Sequence, residues 1–256
     1  MAKPRVYKTE GIVLKRTPLG EADSIVTIYT PYYGKIRAVA KGVRRPRSKL
    51  GGHLEPLTRC LFVLAQGHNL DIITQAQSKE TYLALRSNLW RTSCALYLAE
   101  LVDQFTGEQI ENQRVYEELD RVLCWMCEGR SELALRYFEL RLLRHLGYQP
   151  ELHECLECRT KLQPGEHVFS AAEGGVICGE CGQSRPSVRR ISVDALKVMR
   201  FLADGDDVSV RRLRVGPGLA DEVETVLRHY INYLLERQVR STAFLDRLRS
   251  QGEGLT

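Results

Sequence analysis

Two cysteine pairs, Cys155-Leu-Glu-Cys158 and Cys178-Gly-Glu-Cys181, are separated by 19 residues. Two residues between ligands let one tight turn aim both sulfurs at a single ion about 2.3 Å away. A gap of this length between pairs falls inside the window for a four-thiolate zinc site. Gly179 and Gly182, beside the second pair, leave room for backbone amides to approach the thiolates and share their charge. Residues 167–170 and 175–177 flank Gly174 as in a small hairpin, so residues 151–186 read as a zinc ribbon. Four thiolates close the coordination sphere. Cys155, Cys158, Cys178 and Cys181 are therefore expected to hold one structural Zn2+ per chain. An iron–sulfur cluster, or His153 in place of one cysteine, stand as alternatives. Disulfides are disfavoured in a reducing compartment, and a redox C-x2-C lacks its βαβ setting here. Cys124-Trp-Met-Cys127 has the same spacing but lies within a helical pattern. Both its cysteines are read as helix residues, and Cys60 in a strand and Cys94 in a helix are read likewise as small apolar groups.

A second constellation is electrostatic. Residues 35–49, KIRAVAKGVRRPRSK, hold seven basic side chains and no acidic one. Lys35 and Arg37 alternate with Ile36 and Ala38, which predicts one solvent-facing strand surface carrying both charges. Lys41, Arg44, Arg45, Arg47 and Lys49 follow on a loop broken by Gly42 and Pro46, read as mobile. Such an array suits a phosphate backbone, with binding that weakens steeply as salt displaces the released counterions. Tyr29, Tyr32 and Tyr33 precede it; packing is the favoured reading for them, with base stacking as the alternative. A merely solvated charge run and an acidic-lipid site remain open for the loop.

These residues need a scaffold. Arg5 to Arg16, Asp23 to Tyr29, Gly34 to Ala40, Pro56 to Leu64 and Leu70 to Gln77 read as five short strands in the first 80 residues. Closure into a small barrel would remove exposed edges, with an OB-fold favoured over an SH3-like barrel. From Ser78 onward the apolar period becomes helical: Trp90, Cys94, Leu98, Leu101 and Phe105; Val115, Leu119, Val122 and Met126; Leu133, Tyr137, Leu140 and Leu143. The third of these is apolar on more than one side and is expected to be central, with Gly147 and Pro150 as its stop. Helical spacing returns at residues 193–202 and 223–235, and residues 250–256 are expected to fray. The fold class is thus α+β. An N-terminal five-stranded OB-fold-like β-barrel, residues 1–80, precedes an α-helical domain, residues 81–256, with the four-cysteine zinc ribbon inserted at about 151–186.

The charge distribution follows the same division. Residues 1–80 carry 14 Lys/Arg against 6 Asp/Glu, and the remainder 23 against 26. A basic head on a slightly acidic body points to a polyanionic partner. The longest stretch without Asp, Glu, Lys or Arg is eleven residues, too short for a bilayer-spanning helix, and MAKPRVYKTE has no apolar core of a secretory leader. A cytoplasmic protein without a membrane partner is expected. No GxxxxGK[ST], GxGxxG after a strand or HExxH occurs, and the six histidines are scattered. This favours a binding protein over an enzyme; an unrecognised nuclease and an adaptor for acidic protein tails are the rivals.

The order of parts, together with Glu10-Gly-Ile-Val-Leu, Gly20-Glu-Ala-Asp-Ser, Tyr33-Gly-Lys-Ile, Ala40-Lys-Gly-Val-Arg, Glu139-Leu-Arg-Leu-Leu-Arg-His-Leu-Gly-Tyr and Gly174-Gly-Val-Ile-Cys178, resembles the RecO family of bacterial DNA repair proteins. The resemblance implies an N-terminal OB-fold, a helical C-terminal domain, binding of single- and double-stranded DNA, and annealing of complementary strands. It further implies partnership with RecR, engagement of the C-terminal tail of single-stranded-DNA-binding protein (SSB), indirect service to RecA, and a location at the nucleoid. It maps DNA contacts onto Lys35, Arg37, Lys41, Arg44, Arg45, Arg47 and Lys49. The helix around residues 223–235, with Arg228 and Arg237, is a candidate for the SSB-tail site, although core packing is the better expectation for its apolar residues. An RNA-binding or transcription accessory protein built from a barrel and a ribbon is the alternative function.

Overall fold

β-Branched and aromatic residues at alternate positions build five strands: β1 (Val6–Leu19), β2 (Asp23–Thr30), β3 (Gly34–Ala40), β4 (Arg59–Ala65) and β5 (Asp71–Glu80). The computed structural model describes residues 5–129, 131–183, 185 and 187–251. Helices α1 (Leu83–Arg86), α2 (Leu89–Phe105), α3 (Gln113–Cys127) and α4 (Ser131–His145) follow. Then come β6 (His167–Ser170), β7 (Gly175–Cys178), α5 (Gly179–Gly182), β8 (Arg189–Ile191), α6 (Val193–Asp204), α7 (Asp207–Arg212), α8 (Pro217–Leu235) and α9 (Arg240–Ser250). Most of the expected tail, residues 252–256, lies outside the described residues.

The strands close in the order β1-β2-β3-β5-β4, with every pairing antiparallel except β3 with β5. That parallel pairing is short, Ala38 opposite Asp71 and Val39 opposite Ile72. This is OB-fold topology, which resolves the choice that alternation alone left open. β1 serves two neighbours. Its first half pairs with β4 and its second half with β2, and a shift in register between Val13 and Lys15 bends it between them. Alternate residues point inward, so Tyr7, Val26, Ile28, Ile36, Ala38, Phe62, Leu64 and Ile73 fill the barrel.

The chain forms two compact units. The first joins the barrel to α1, α2, α3 and α9, the segment from Val239 onward returning to it. Asn88 caps α2 by accepting from the Arg91 amide, and Asn112 caps α3 through the Val115 amide. The sequence reading placed no helix at α9, because only Thr242, Leu245 and Leu248 of its eleven residues are buried. Its start is held from outside: the Glu100 carboxylate in α2 accepts from the Arg240 and Ser241 amides, at 2.9 Å each.

The second unit, residues 130–238, is organised around α4. Ala134, Leu135, Tyr137, Phe138, Leu140, Leu142 and Leu143 are all buried, as expected of a helix apolar on more than one side. It ends where Gly147 turns left-handed (φ 82°) and the Tyr148 amide bonds back to the Leu143 carbonyl. Glu139 is fully buried against Arg136, 3.1 Å away, and Arg136 also lies 3.9 Å from Glu224 of α8. Removing one member of such a pair strands the other charge. Glu139→Ala is expected to lower the stability of this unit by about 3 kcal/mol or more, measured by urea unfolding.

Candidate nucleic-acid interface and metal centre

The basic loop leaves β3 at Ala40. It is a succession of turns fastened to the barrel, which corrects the expectation of a mobile segment. Val43 is buried in the barrel core, the Arg44 amide donates to the Ala22 carbonyl at 2.9 Å, and the Gly42 amide donates to Asp23 Oδ1 at 2.7 Å. Gly42 is left-handed (φ 64°), which lets the Arg45 amide close a turn on its carbonyl. Lys41, Arg44, Arg45, Arg47 and Lys49 are all exposed. Among the described residues none of the five forms an ion pair. Arg44 additionally donates from Nη1 to the Gly20 carbonyl in the β1–β2 turn, 3.0 Å away. The result is five cations on a backbone held in place, so that on meeting a ligand the ordering cost falls on side-chain rotamers rather than on the main chain.

Lys35 and Arg37 point outward together as alternation requires, but they do not share a solvent-facing surface. Lys35 is only 8% exposed. Its ammonium donates to the Asp103 carbonyl and lies 3.3 Å from Asp103 Oδ1 near the end of α2. Lys15 approaches the same carboxylate at 2.6 Å. Burial pushes the Asp103 pKa up, but the hydrogen bond and charge of Lys15 and the charge of Lys35 outweigh it and hold the acid below its usual range. Arg37 is exposed and lies 3.5 Å from Glu108. Lys35 was expected in solvent because alternation distinguishes inside from outside of a strand, not what a distant helix lays over the outside.

The tyrosines divide. Tyr29 is completely buried, Tyr33 packs on Tyr7 with ring centroids 4.9 Å apart, and Tyr32 is 63% exposed. Packing is therefore the role of two of them.

In the second unit, β6 and β7 form the expected hairpin, and β8 adds a third strand beside β6 that the sequence did not reveal. The sulfurs of Cys155, Cys158, Cys178 and Cys181 all lie within 4.8 Å of one another, with Cys158 and Cys178 at 3.9 Å. Tetrahedral coordination with bonds of about 2.3 Å would set sulfurs about 3.8 Å apart, so the four thiols fit one metal ion. The amides nearest the Cys155 sulfur are those of Cys178 (3.3 Å), Cys158 and Glu157. Burial opposes ionisation of Cys155, yet these donors pull its pKa below the ordinary thiol value. Gly182 serves packing: a Cβ there would sit 2.6 Å from Val168 Cγ2. The Thr160 hydroxyl and amide draw the Cys158 pKa down to about 6. Cys181, hydrogen-bonded first to Cys178 and crowded by the other sulfurs, is pushed up to about 12. Neighbouring thiolates repel, and a divalent cation is the group that lets all four ionise together.

His153 points elsewhere, with Nε2 3.0 Å from Asp204 Oδ2. Cys124 and Cys127 lie in α3 as expected, with Cys124 exposed rather than packed. Burial is the first cause raising both thiols. Cys60 and Cys94 are buried.

Comparison with known proteins decides the family. Residues 1–82 match the family described as Recombination protein O N terminal, and residues 86–243 match Recombination protein O C terminal. The chain belongs to the RecO family. A DNA repair protein RecO of Roseiflexus sp. (strain RS-1) is 40% identical over 248 residues, covering 96% of this chain and 87% of the relative. One from Dehalococcoides mccartyi (strain CBDB1) is 37% identical over 250 residues, covering 97% and 98%. RecO membership accounts for the OB-fold head, and among the described residues no helix is long and apolar enough to cross a membrane. In α8, the candidate helix for the SSB-tail site, Val223, Val226, Leu227, Tyr230 and Ile231 are buried, and Arg228 is held by Glu224 at 2.6 Å. Those apolar side chains serve the core. Asp103 and Glu108, which set the electrostatics of the barrel's outer face, were missed; nothing in the local sequence ties them to residues 68 and 71 positions earlier.

Proposed function

We propose that this RecO-family chain is a DNA-binding, strand-annealing recombination mediator of the bacterial cytoplasm, acting at the nucleoid with RecR and SSB to promote RecA loading. The observation that carries the reading is the group Lys41, Arg44, Arg45, Arg47 and Lys49: exposed, without an ion pair among the described residues, and fixed to an OB barrel. Arg37 precedes this group by four residues on β3, whereas covered Lys35 supports the strand rather than touching DNA. Fixed cations neutralise the phosphates of both single and double strands without reading bases. Two complementary strands whose phosphates are neutralised can approach and pair. That step requires neither nucleotide hydrolysis nor a catalytic group, so the protein acts as a binding protein rather than an enzyme. The four cysteines would hold one Zn2+, whose contribution is to lock the ribbon's turns. RecR and the SSB tail enter from the family resemblance.

The test is annealing of complementary oligonucleotides coated with SSB, comparing the protein with Arg44→Gln/Arg45→Gln/Arg47→Gln. Faster annealing by the unaltered protein and loss of that acceleration in the variant are expected. Equal rates for the two proteins would overturn the assignment of the loop, and tighter binding of structured RNA than of single-stranded DNA would favour an RNA-binding protein.

A further inference from the structure

The barrel's outer face carries a row of cations already matched by the protein's own acids. Lys15, Thr27 and Arg37 are direct neighbours across β1, β2 and β3, and Ile12, Tyr29 and Lys35 form the adjacent outward row. Asp103 answers Lys15 and Lys35, and Glu108 answers Arg37. The connection between α2 and α3 delivers Glu108 by pairing with the strand itself. Lys35 and Glu108 form a parallel bridge, and the Gln109 amide donates to the Lys35 carbonyl at 2.9 Å. It can lie this close because Gly34, left-handed at φ 59°, has no side chain to strike the Ile110 backbone. β3 pairs with β5 only from Ala38 onward, so the connection occupies the open edge beside Gly34 to Arg37. Strands 2 and 3 are the surface with which OB-folds commonly hold oligonucleotides.

We infer that Glu108 is a built-in phosphate substitute that competes with the DNA backbone for Arg37. The inference rests on the DNA-binding reading above and specifies the electrostatic regulation of that surface. The two pairs on this face differ in strength. Lys35 and Asp103 are 10% and 19% exposed at their side chains, and the same carboxylate also meets the more exposed Lys15 at 2.6 Å. Arg37 and Glu108 are 44% and 52% exposed and 3.5 Å apart, a contact that water and an incoming phosphate can both reach. An exposed pair of this kind holds weakly, so a phosphate backbone already gripped by the neighbouring loop can displace the carboxylate. Arg37 then joins the DNA contacts as a reserve cation, and Glu108 lowers affinity for any DNA that does not engage the loop first.

The experiment measures binding of a fluorescent single-stranded oligonucleotide by the full chain across a salt series. Glu108→Gln keeps the backbone bridge and removes the charge. It is expected to tighten binding about two- to fivefold at low salt, matching the strength of an exposed ion pair. The exposed Glu111, on the same connection and without a described partner, is the control. Glu111→Gln changes net charge identically and should leave affinity almost unaltered. Arg37→Ala in the Glu108→Gln background should abolish the gain. Equal gains from both acids would reduce the effect to overall charge and overturn the inference, as would no gain from Glu108→Gln in a protein that still binds DNA through Arg44 and Arg45. Failure of the unaltered protein to bind any oligonucleotide would instead remove the underlying DNA-binding reading and the inference with it.

Discussion

Cys155→Ser is expected to yield a protein without its metal and to destabilise the second unit by more than about 4 kcal/mol, the scale at which loss of a structural metal stands apart from ordinary substitutions. Unaltered protein should contain one zinc per chain. Cys155 is the completely buried ligand, and its sulfur accepts from the Cys178 amide across the two turns. Taking it away breaks both the coordination and the hydrogen bond that brings the turns together. The surrounding sheet is small, three strands of which β8 has only three residues, so little other burial can replace the ion. Elemental analysis and calorimetry check this. The salt dependence of DNA binding should survive the substitution, because the cations assigned to DNA lie in the barrel's own unit. A metal-free protein melting at the temperature of the unaltered one would refute a structural metal, and loss of the salt dependence would move DNA contacts to the ribbon.

Arg44→Ala with Arg45→Ala should weaken binding to unrelated DNA sequences alike, by about tenfold or more near 0.1 M salt, and should flatten the slope of log affinity against log salt by about one to two units. Both side chains are exposed, and Ala can preserve the loop's backbone bonds from residue 44 to Ala22 and from residue 45 to Gly42. The fold should therefore be unchanged, and the melting temperature checks that. Uniform weakening is expected because phosphates carry charge without sequence. A loss confined to one oligonucleotide would signal base recognition, and an unchanged slope would place the phosphate contacts elsewhere.

The four-cysteine cluster was legible because its information is local. Cys155 with Cys158, and Cys178 with Cys181, each lie on a single turn, and the intervening β6 and β7 pair with Gly174 between them. The barrel strands were legible from alternation for the same reason. β8 was not, since three residues with two exposed arginines carry no apolar pattern, and its existence follows from pairing with β6. α9 was hidden similarly, its start being capped by a carboxylate 140 residues away.

Composition and spacing by themselves determined two features here: four cysteines placed so that they could hold one ion, and a surplus of positive charge near the amino end. They also determined the five barrel strands and the longer helices, because side-chain period follows directly from backbone geometry. Only the tertiary structure decided which cations are available. Lys35 and Arg45 are equivalent as entries in a basic run, yet one is covered and bound by Asp103 while the other stands in solvent. The reason is electrostatic range. A charge is neutralised by whatever acid folding brings within a few ångströms, and for Lys35 that acid is 68 residues distant along the chain.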